Sequence, residues 1–209
     1  PPRSTPLYSS AASDVYKRQN EESLKSGTTI DQCFDFMRAV TSRFAFKVLM
    51  MGYYNTVFKM GEKDFLQRLS AAGGIAFILP DLPIEESKIF RQEALSCGID
   101  PIILMTPTNS ERRLAELGAA SSGMVYVVAR KGVTGTKSNI DAEVLALLER
   151  CRSHTDVPLG VGFGISDRDD LQVLRGAADV AIIGTAALKI WQTAGPDGLK
   201  NFFHALSCN

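Results

Sequence analysis

Two short glycine-bearing stretches carry the clearest chemistry in this 209-residue chain: Val161-Gly-Phe-Gly-Ile-Ser166 and Ile182-Ile-Gly-Thr-Ala186. Each ends a short apolar run and passes at once into a helical pattern. The first N–H groups of a helix have no partner within it and lie at the positive end of its dipole, so they attract anions. Gly164 and Gly184 let a phosphate approach the main chain with no Cβ in the way, and Thr185 adds a hydroxyl donor. One such glycine is adequately explained as a tight turn. Two at consecutive strand ends point to a phosphate cradle, in which each charge-assisted bond is worth about 1.5–3 kcal/mol.

A third stretch, Tyr126-Val-Val-Ala-Arg-Lys-Gly-Val-Thr-Gly135, begins as a strand and ends as a glycine-flanked loop. Its glycines supply hinges for a flap carrying Thr134, which folds over a ligand and excludes water; Gly135 has an N–H to offer the phosphate. Tyr126 directs its phenol at substrate if its side of the strand faces inward. As a core aromatic with a satisfied hydroxyl it has a nearly equal account. Arg130 and Lys131 read as a solvated loop pair.

These groups need a scaffold that gathers successive strand ends. Hydrophobic periodicity predicts helices over 29–42, 62–72, 85–97, 110–117, 141–154 and 167–175, with a terminal helix from GTAALK to near Leu206. Strands are expected at 46–51, 75–79, 101–105, 124–128, 159–161 and 180–183. Their short, uninterrupted apolar runs suit a parallel sheet covered by helices. Six strand–helix units fall short of the eight that close a (β/α)8 barrel, and an open doubly wound sheet is the alternative. Glycine turns after the last two strands, where such barrels hold phosphate, favour the barrel.

Composition narrows the field further. Lys+Arg and Asp+Glu both number 23, so the basic footprint of a nucleic-acid binder is missing. No apolar run reaches the ~18 residues of a membrane span. Cys33, Cys97, Cys151 and Cys208 are scattered without a CxxC pair, as expected of reduced thiols in a cytoplasmic protein. His154 and His204 have no plausible co-ligands nearby in the sequence, so no metal site is expected, and no Ser-His-Asp or Cys-His motif is present. Residues 1–19, rich in Pro, Ser and Ala and without amphipathic periodicity, are set apart as an unrelated leader, disordered or artefactual, from a domain at 20–209.

The stretches NEESLKSGTTIDQCFDFMR, LMMGYYNTVF, PDLPIEES with FRQEA, YVVARKGVTG, GVGFGIS and AIIGTAALK span 20–206. In that order and spacing they resemble the tryptophan synthase alpha-subunit family. The resemblance implies an α/β fold, the TIM (β/α)8 barrel, incomplete here with strands three to eight. It implies a lyase of tryptophan biosynthesis that cleaves indole-3-glycerol phosphate to indole and glyceraldehyde 3-phosphate. No cofactor is implied in this subunit; pyridoxal phosphate belongs to a partner beta subunit in an alpha2-beta2 complex.

By the same resemblance, Tyr126 is the active-site tyrosine, and Thr134 the loop threonine that organises the closed catalytic carboxylates. Gly135, Gly164, Gly184 and Thr185 form the phosphate cradle, while Tyr53 and Phe163 line the indole pocket. Asp81 bonds across on closure, or merely starts the turn before Pro83. Asn55 and Pro83 meet the beta subunit. The family's acid–base pair, a glutamate on the second strand and an aspartate in the next loop, has no counterpart, because both would precede Asn20. The leader offers only Asp14, which matches neither motif, and Glu21 and Glu22 read as surface residues. An inactive fragment is therefore expected, with an unclosed barrel whose exposed strand edges promote association.

Two other functions compete. One is a different phosphate-binding barrel enzyme, against which PDLPIEES and ARKGVTG speak. The other is a non-catalytic phosphate-binding subunit that activates a partner.

Overall fold

The structure, a computed structural model, describes residues 22–23, 25–129, 142–162 and 164–207. The leader assigned to 1–19 lies outside them. Strands and helices alternate: α1 (Ile30–Thr41), β1 (Val48–Met51), α2 (Tyr54–Met60), α3 (Glu62–Ala71), β2 (Gly74–Ile78), α4 (Lys88–Ser96) and β3 (Asp100–Met105). Then follow α5 (Glu111–Ala120), β4 (Val125–Val128), α6 (Ala142–Arg152), β5 (Leu159–Gly162), α7 (Arg168–Leu174), β6 (Val180–Ile182) and α8 (Thr185–Ser207).

All six strands are parallel, and their spatial order is their chain order, β1 to β6. A doubly wound sheet reverses that order at a switch point, and this sheet never does. The architecture is that of a (β/α)8 barrel with six of its strands described. Among the described residues, β1 and β6 each have a strand neighbour on one side only.

The alternation of side chains sorts the strands into two faces. Val125, Val127, Leu159 and Val161 are fully buried on the outer face under Leu114, Leu117, Leu147 and Leu148 of α5 and α6. Farther along the sheet, Phe77 of β2 packs with Phe34, Phe65 and Phe90; the Phe77 and Phe90 rings stack with centroids 5.1 Å apart. The inner face is smaller and comprises Ala76, Ile78 and Ile102, with Leu104, Met124 and Tyr126 against them. Val48 and Met50 pack outward. Their alternates Leu49 and Met51 therefore lie on the inner side, and they are exposed.

Local side-chain caps start α1, α5 and α7. Thr29 accepts from the Gln32 N–H at 3.3 Å while Gln32 Oε1 accepts from the Thr29 N–H at 2.9 Å, a reciprocal capping box. Ser110 caps α5 through the Arg113 N–H at 3.2 Å. Two elements differ from expectation. The sequence reading passed over α2, because nothing in YNTVFKM announces a helix start. The cap comes instead from Asp81, whose Oδ1 accepts the Tyr54 N–H at 2.8 Å from the loop after β2. The terminal helix is also not continuous. Gly195 breaks it at φ 61°, ψ −158°, and Pro196 opens a second segment, as its fixed φ and missing N–H allow.

Neighbouring strand–helix units are clasped together by ion pairs and main-chain bonds. Asp179 accepts the Leu159 N–H at 2.7 Å and pairs with Arg152, tying the start of β5 to the approach to β6. Glu111 lies 2.9 Å from His154 Nε2 and accepts from Arg150 Nε at 2.7 Å, joining α5 to α6. The Leu159 N–H, assisted by Arg152, holds the Asp179 carboxyl below its ordinary value. His154 and Arg150 do the same for Glu111, and Arg113 for Glu85.

Depressed carboxyls contribute stability that is complete above their ordinary values and lost as pH falls through the lowered folded values. Acidification below the ordinary carboxylate range should therefore lower the melting temperature, and Asp179→Asn should flatten part of that fall in a pH series of thermal melts. A second test concerns α5, which passes so close to the turn after α6 that a Cβ at Gly118 would stand 1.9 Å from the His154 carbonyl oxygen. Alanine normally stabilises an exposed helix over glycine by about 1 kcal/mol. Here the backbone contact reverses the sign. Gly118→Ala should lose about 1–3 kcal/mol in urea unfolding.

Candidate functional site

The site is built where β4, β5 and β6 end side by side. Val125 and Val127 face the helices, so Tyr126 between them turns inward, half-buried beside Ile102 and Leu104. Its ring leans toward the C-terminal end of the sheet and crosses β5. A Cβ built on Gly162 would stand 2.1 Å from the Tyr126 hydroxyl and 2.5 Å from the ring. Only a bare α-carbon at position 162 lets the phenol lie there. The condition attached to Tyr126, that its side of the strand be the inner one, is met.

Strand register levels the two glycine turns. Gly162 is paired with Ile182, and Gly164 and Gly184 each follow two residues later. Gly164 has φ 37°, a left-handed conformation that disfavours a side chain. Behind it the chain is firmly pinned. Ile165 is buried, and Ser166 donates its N–H at 2.8 Å and its hydroxyl at 3.1 Å to Asp170, a carboxylate only 3% exposed. Asp167 in turn caps α7 by accepting the Asp170 N–H at 3.0 Å.

The two helix starts are electrostatically unlike. α7 opens with its own anions, since Asp167 caps it and Asp169 and Asp170 lie in its first turn. α8 has no acid in its first turn. Its first helical bond runs from the Leu188 N–H to the Gly184 carbonyl at 3.1 Å. The N–H groups of Thr185, Ala186 and Ala187 therefore have no acceptor within the helix. An added anion is better accommodated at the start of α8, beside the Gly164 turn, than at the start of α7.

The remaining predicted residues divide in two. Tyr53 and Asn55 lie at the start of α2 after β1, and Asp81 and Pro83 on the loop after β2, at the same end of the sheet. Tyr53 is the N-cap residue of α2 and is largely exposed; Asn55 and Pro83 are exposed too. Asp81 is engaged with the Tyr54 N–H, which ties the two loops together. Thr134, Gly135 and Phe163, like Arg130 and Lys131, lie outside the described residues.

Sequence reasoning missed the supports of this rim. Glu85 of PDLPIEES pairs with Arg113 of α5 through both Nη atoms, and Arg91 donates to Ser87 Oγ at 3.1 Å and to the Ala120 carbonyl at 2.9 Å. Neither pairing has a local signal. The Asp167-x-x-Asp170 spacing does announce a helix start, but not that Asp170 turns inward.

Other chemistry finds little support. Burial pushes the Cys151 thiol up to about 11, so it is no ready nucleophile. Among the described residues no group of three or more His, Cys, Asp or Glu side chains could hold a metal ion, and no helix is long and apolar enough to cross a membrane.

A parallel barrel-type sheet with glycine turns after β5 and β6, and a tyrosine laid across them, belongs to the (β/α)8 barrel class, many of whose members hold phosphate at that end. Comparison with known proteins is more specific. A family model described as Tryptophan synthase alpha chain matches residues 5–205. The tryptophan synthase alpha chain of Desulfotalea psychrophila is 40% identical over 192 residues, covering 92% of this chain and 76% of that one. That of Trichormus variabilis is 36% identical over 201 residues, covering 95% and 74%. Among solved structures, the tryptophan synthase α2β2 complex of Pyrococcus furiosus aligns with a TM-score of 0.86 at 25% identity, over 98% of this chain and 82% of that one. The chain belongs to the tryptophan synthase alpha chain family.

The Tyr126–Gly162 contact makes a coupled prediction. Gly162→Ala should cost about 1–3 kcal/mol through the displaced ring. In a Tyr126→Ala background the same substitution should cost almost nothing, so a double-mutant cycle by urea unfolding should return a coupling close to the whole single-variant loss.

Proposed function

We propose that this chain carries the binding site for indole-3-glycerol phosphate, the compound that is cleaved to indole and glyceraldehyde 3-phosphate. The observation supporting this most directly is the adjacency of three strand ends, with the Tyr126 phenol over Gly162, the Gly164 turn beside it and the acid-free start of α8 at Gly184 and Thr185. The phosphate sits on the Gly184–Thr185 amides and the Thr185 hydroxyl, flanked by Gly164 and Gly135. The indole ring extends inward past Tyr126, between Tyr53 and Phe163, and the Thr134 loop closes over it. Asn55 and Pro83 face the beta subunit of an α2β2 assembly.

In the cleavage, the bond between indole C3 and the glycerol side chain breaks. C3 takes up a proton, and the neighbouring hydroxyl gives one up as it becomes the aldehyde. Positioned carboxylates accelerate such transfers by roughly 10²–10⁴-fold each. Four described acids near the strand ends are engaged elsewhere: Asp81 with Tyr54, Asp170 with Ser166, Asp167 with the α7 main chain and Glu85 with Arg113. We assign these residues to binding and support rather than to proton transfer. The same observation favours, as a second reading, a phosphate-binding subunit whose role is to activate a beta subunit.

Isothermal titration with glycerol 3-phosphate should show binding, weakened about tenfold or more in Thr185→Ala, the value of one hydrogen bond to a charged group. No heat of binding, or an unchanged Thr185→Ala, would remove the cradle. The chain alone should release no indole from indole-3-glycerol phosphate. Release at an enzymatic rate would return proton transfer to the acids named above, while activation of an added beta subunit without release would select the second reading.

A further inference from the structure

We propose that Tyr54, held by Glu62, is a positioning residue that sets the rim segment bearing Tyr53 and Asn55 against the rest of the site. The proposal rests on the reading of those two residues given above, and extends it to a pair with no assigned role. Tyr54 touches four separate elements. Its hydroxyl donates to Glu62 Oε1 of α3 at 2.8 Å. Its N–H donates to Asp81 Oδ1, in the loop after β2, at 2.8 Å. Its ring meets Phe58 within α2 at a centroid distance of 6.2 Å and Phe90 of α4 at 6.4 Å.

The other anchor of α2 is Val57, buried in the core one turn further along. α2 is seven residues long, too short to persist on its own helical propensity, and its N-cap residue Tyr53 makes no side-chain capping bond. Tyr53 and Asn55 flank Tyr54, the residue that ties the start of α2 to its neighbours. Fixing Tyr54 fixes both. The Glu62 bond, with partial burial and the nearby Glu86 charge adding to it, raises the phenol's pKa, so the hydroxyl remains a donor at neutral pH. Glu62 is also in the first turn of α3, where the helix dipole favours its negative charge.

The test uses the whole chain and three variants. Tyr54→Phe keeps the ring and loses the hydroxyl, Glu62→Ala removes the acceptor, and Glu62→Gln retains an acceptor oxygen. Hydrogen exchange at the amides of 54–57 should quicken about tenfold in Tyr54→Phe and in Glu62→Ala, remain near wild type in Glu62→Gln, and quicken no further when the first two are combined. Unchanged exchange in Tyr54→Phe, or acceleration spread evenly over the chain, overturns the proposal.

Titration with indole and with glycerol 3-phosphate supplies a readout that general loosening would not produce. Indole affinity should fall three- to tenfold in Tyr54→Phe while glycerol 3-phosphate affinity stays within twofold. Equal losses for both ligands overturn the positioning role. A wild-type chain that binds neither ligand sinks the reading of the site itself, and the exchange series still decides whether Tyr54 holds the rim.

Discussion

The absence of a side chain at Gly162 is the constraint on which the site depends. The phenol of Tyr126 occupies the space that a Cβ would need, so the ring lies across β5 instead of standing over its own strand. That crossing brings a hydroxyl made on β4 to the edge of the turn made by β5. The parallel register then sets the β6 turn at the same level. Three groups far apart in sequence converge because successive parallel strands end together, which is the general reason barrels of this type concentrate chemistry at one end.

The opposite end of the sheet is built to other requirements. There Asp179 accepts the Leu159 N–H and pairs with Arg152, binding the start of β5 and the approach to β6 to the end of α6. These groups are partly solvated, so the ion pair is individually modest. Together the two contacts keep consecutive βα units in register, and register is what the ligand-facing end requires. At that end, acids are used to pin loops from within, as Asp170 pins the turn after Gly164, and Asp81 joins the loops after β1 and β2.

Much of this was legible in the sequence. The six strands were anticipated from uninterrupted apolar runs, and each lies within about two residues of its expected position. Thr29, Ser110 and Asp167 marked helix starts because capping chemistry is local. The glycine turns at Gly164 and Gly184 could be found because a strand ending directly in glycine and helix leaves few other accounts. What escaped was tertiary. α2 takes its cap from a residue in another loop, the ring position of Tyr126 depends on a neighbour's missing side chain, and Glu85 finds Arg113 only after folding. The terminal helix misled because its apolar pattern continues through Gly195 and Pro196, whose backbone preferences end one helix and begin another.

That break has a practical side. The ten-residue segment from Thr185 to Ala194 ends in an exposed stretch, and Gly195 then takes the main chain out of helical geometry. The segment that opens at the Gly184 turn is thereby set apart from the one that follows Pro196. A tag, a fluorescent domain or a surface tether spliced between Ala194 and Gly195 would find a natural seam there.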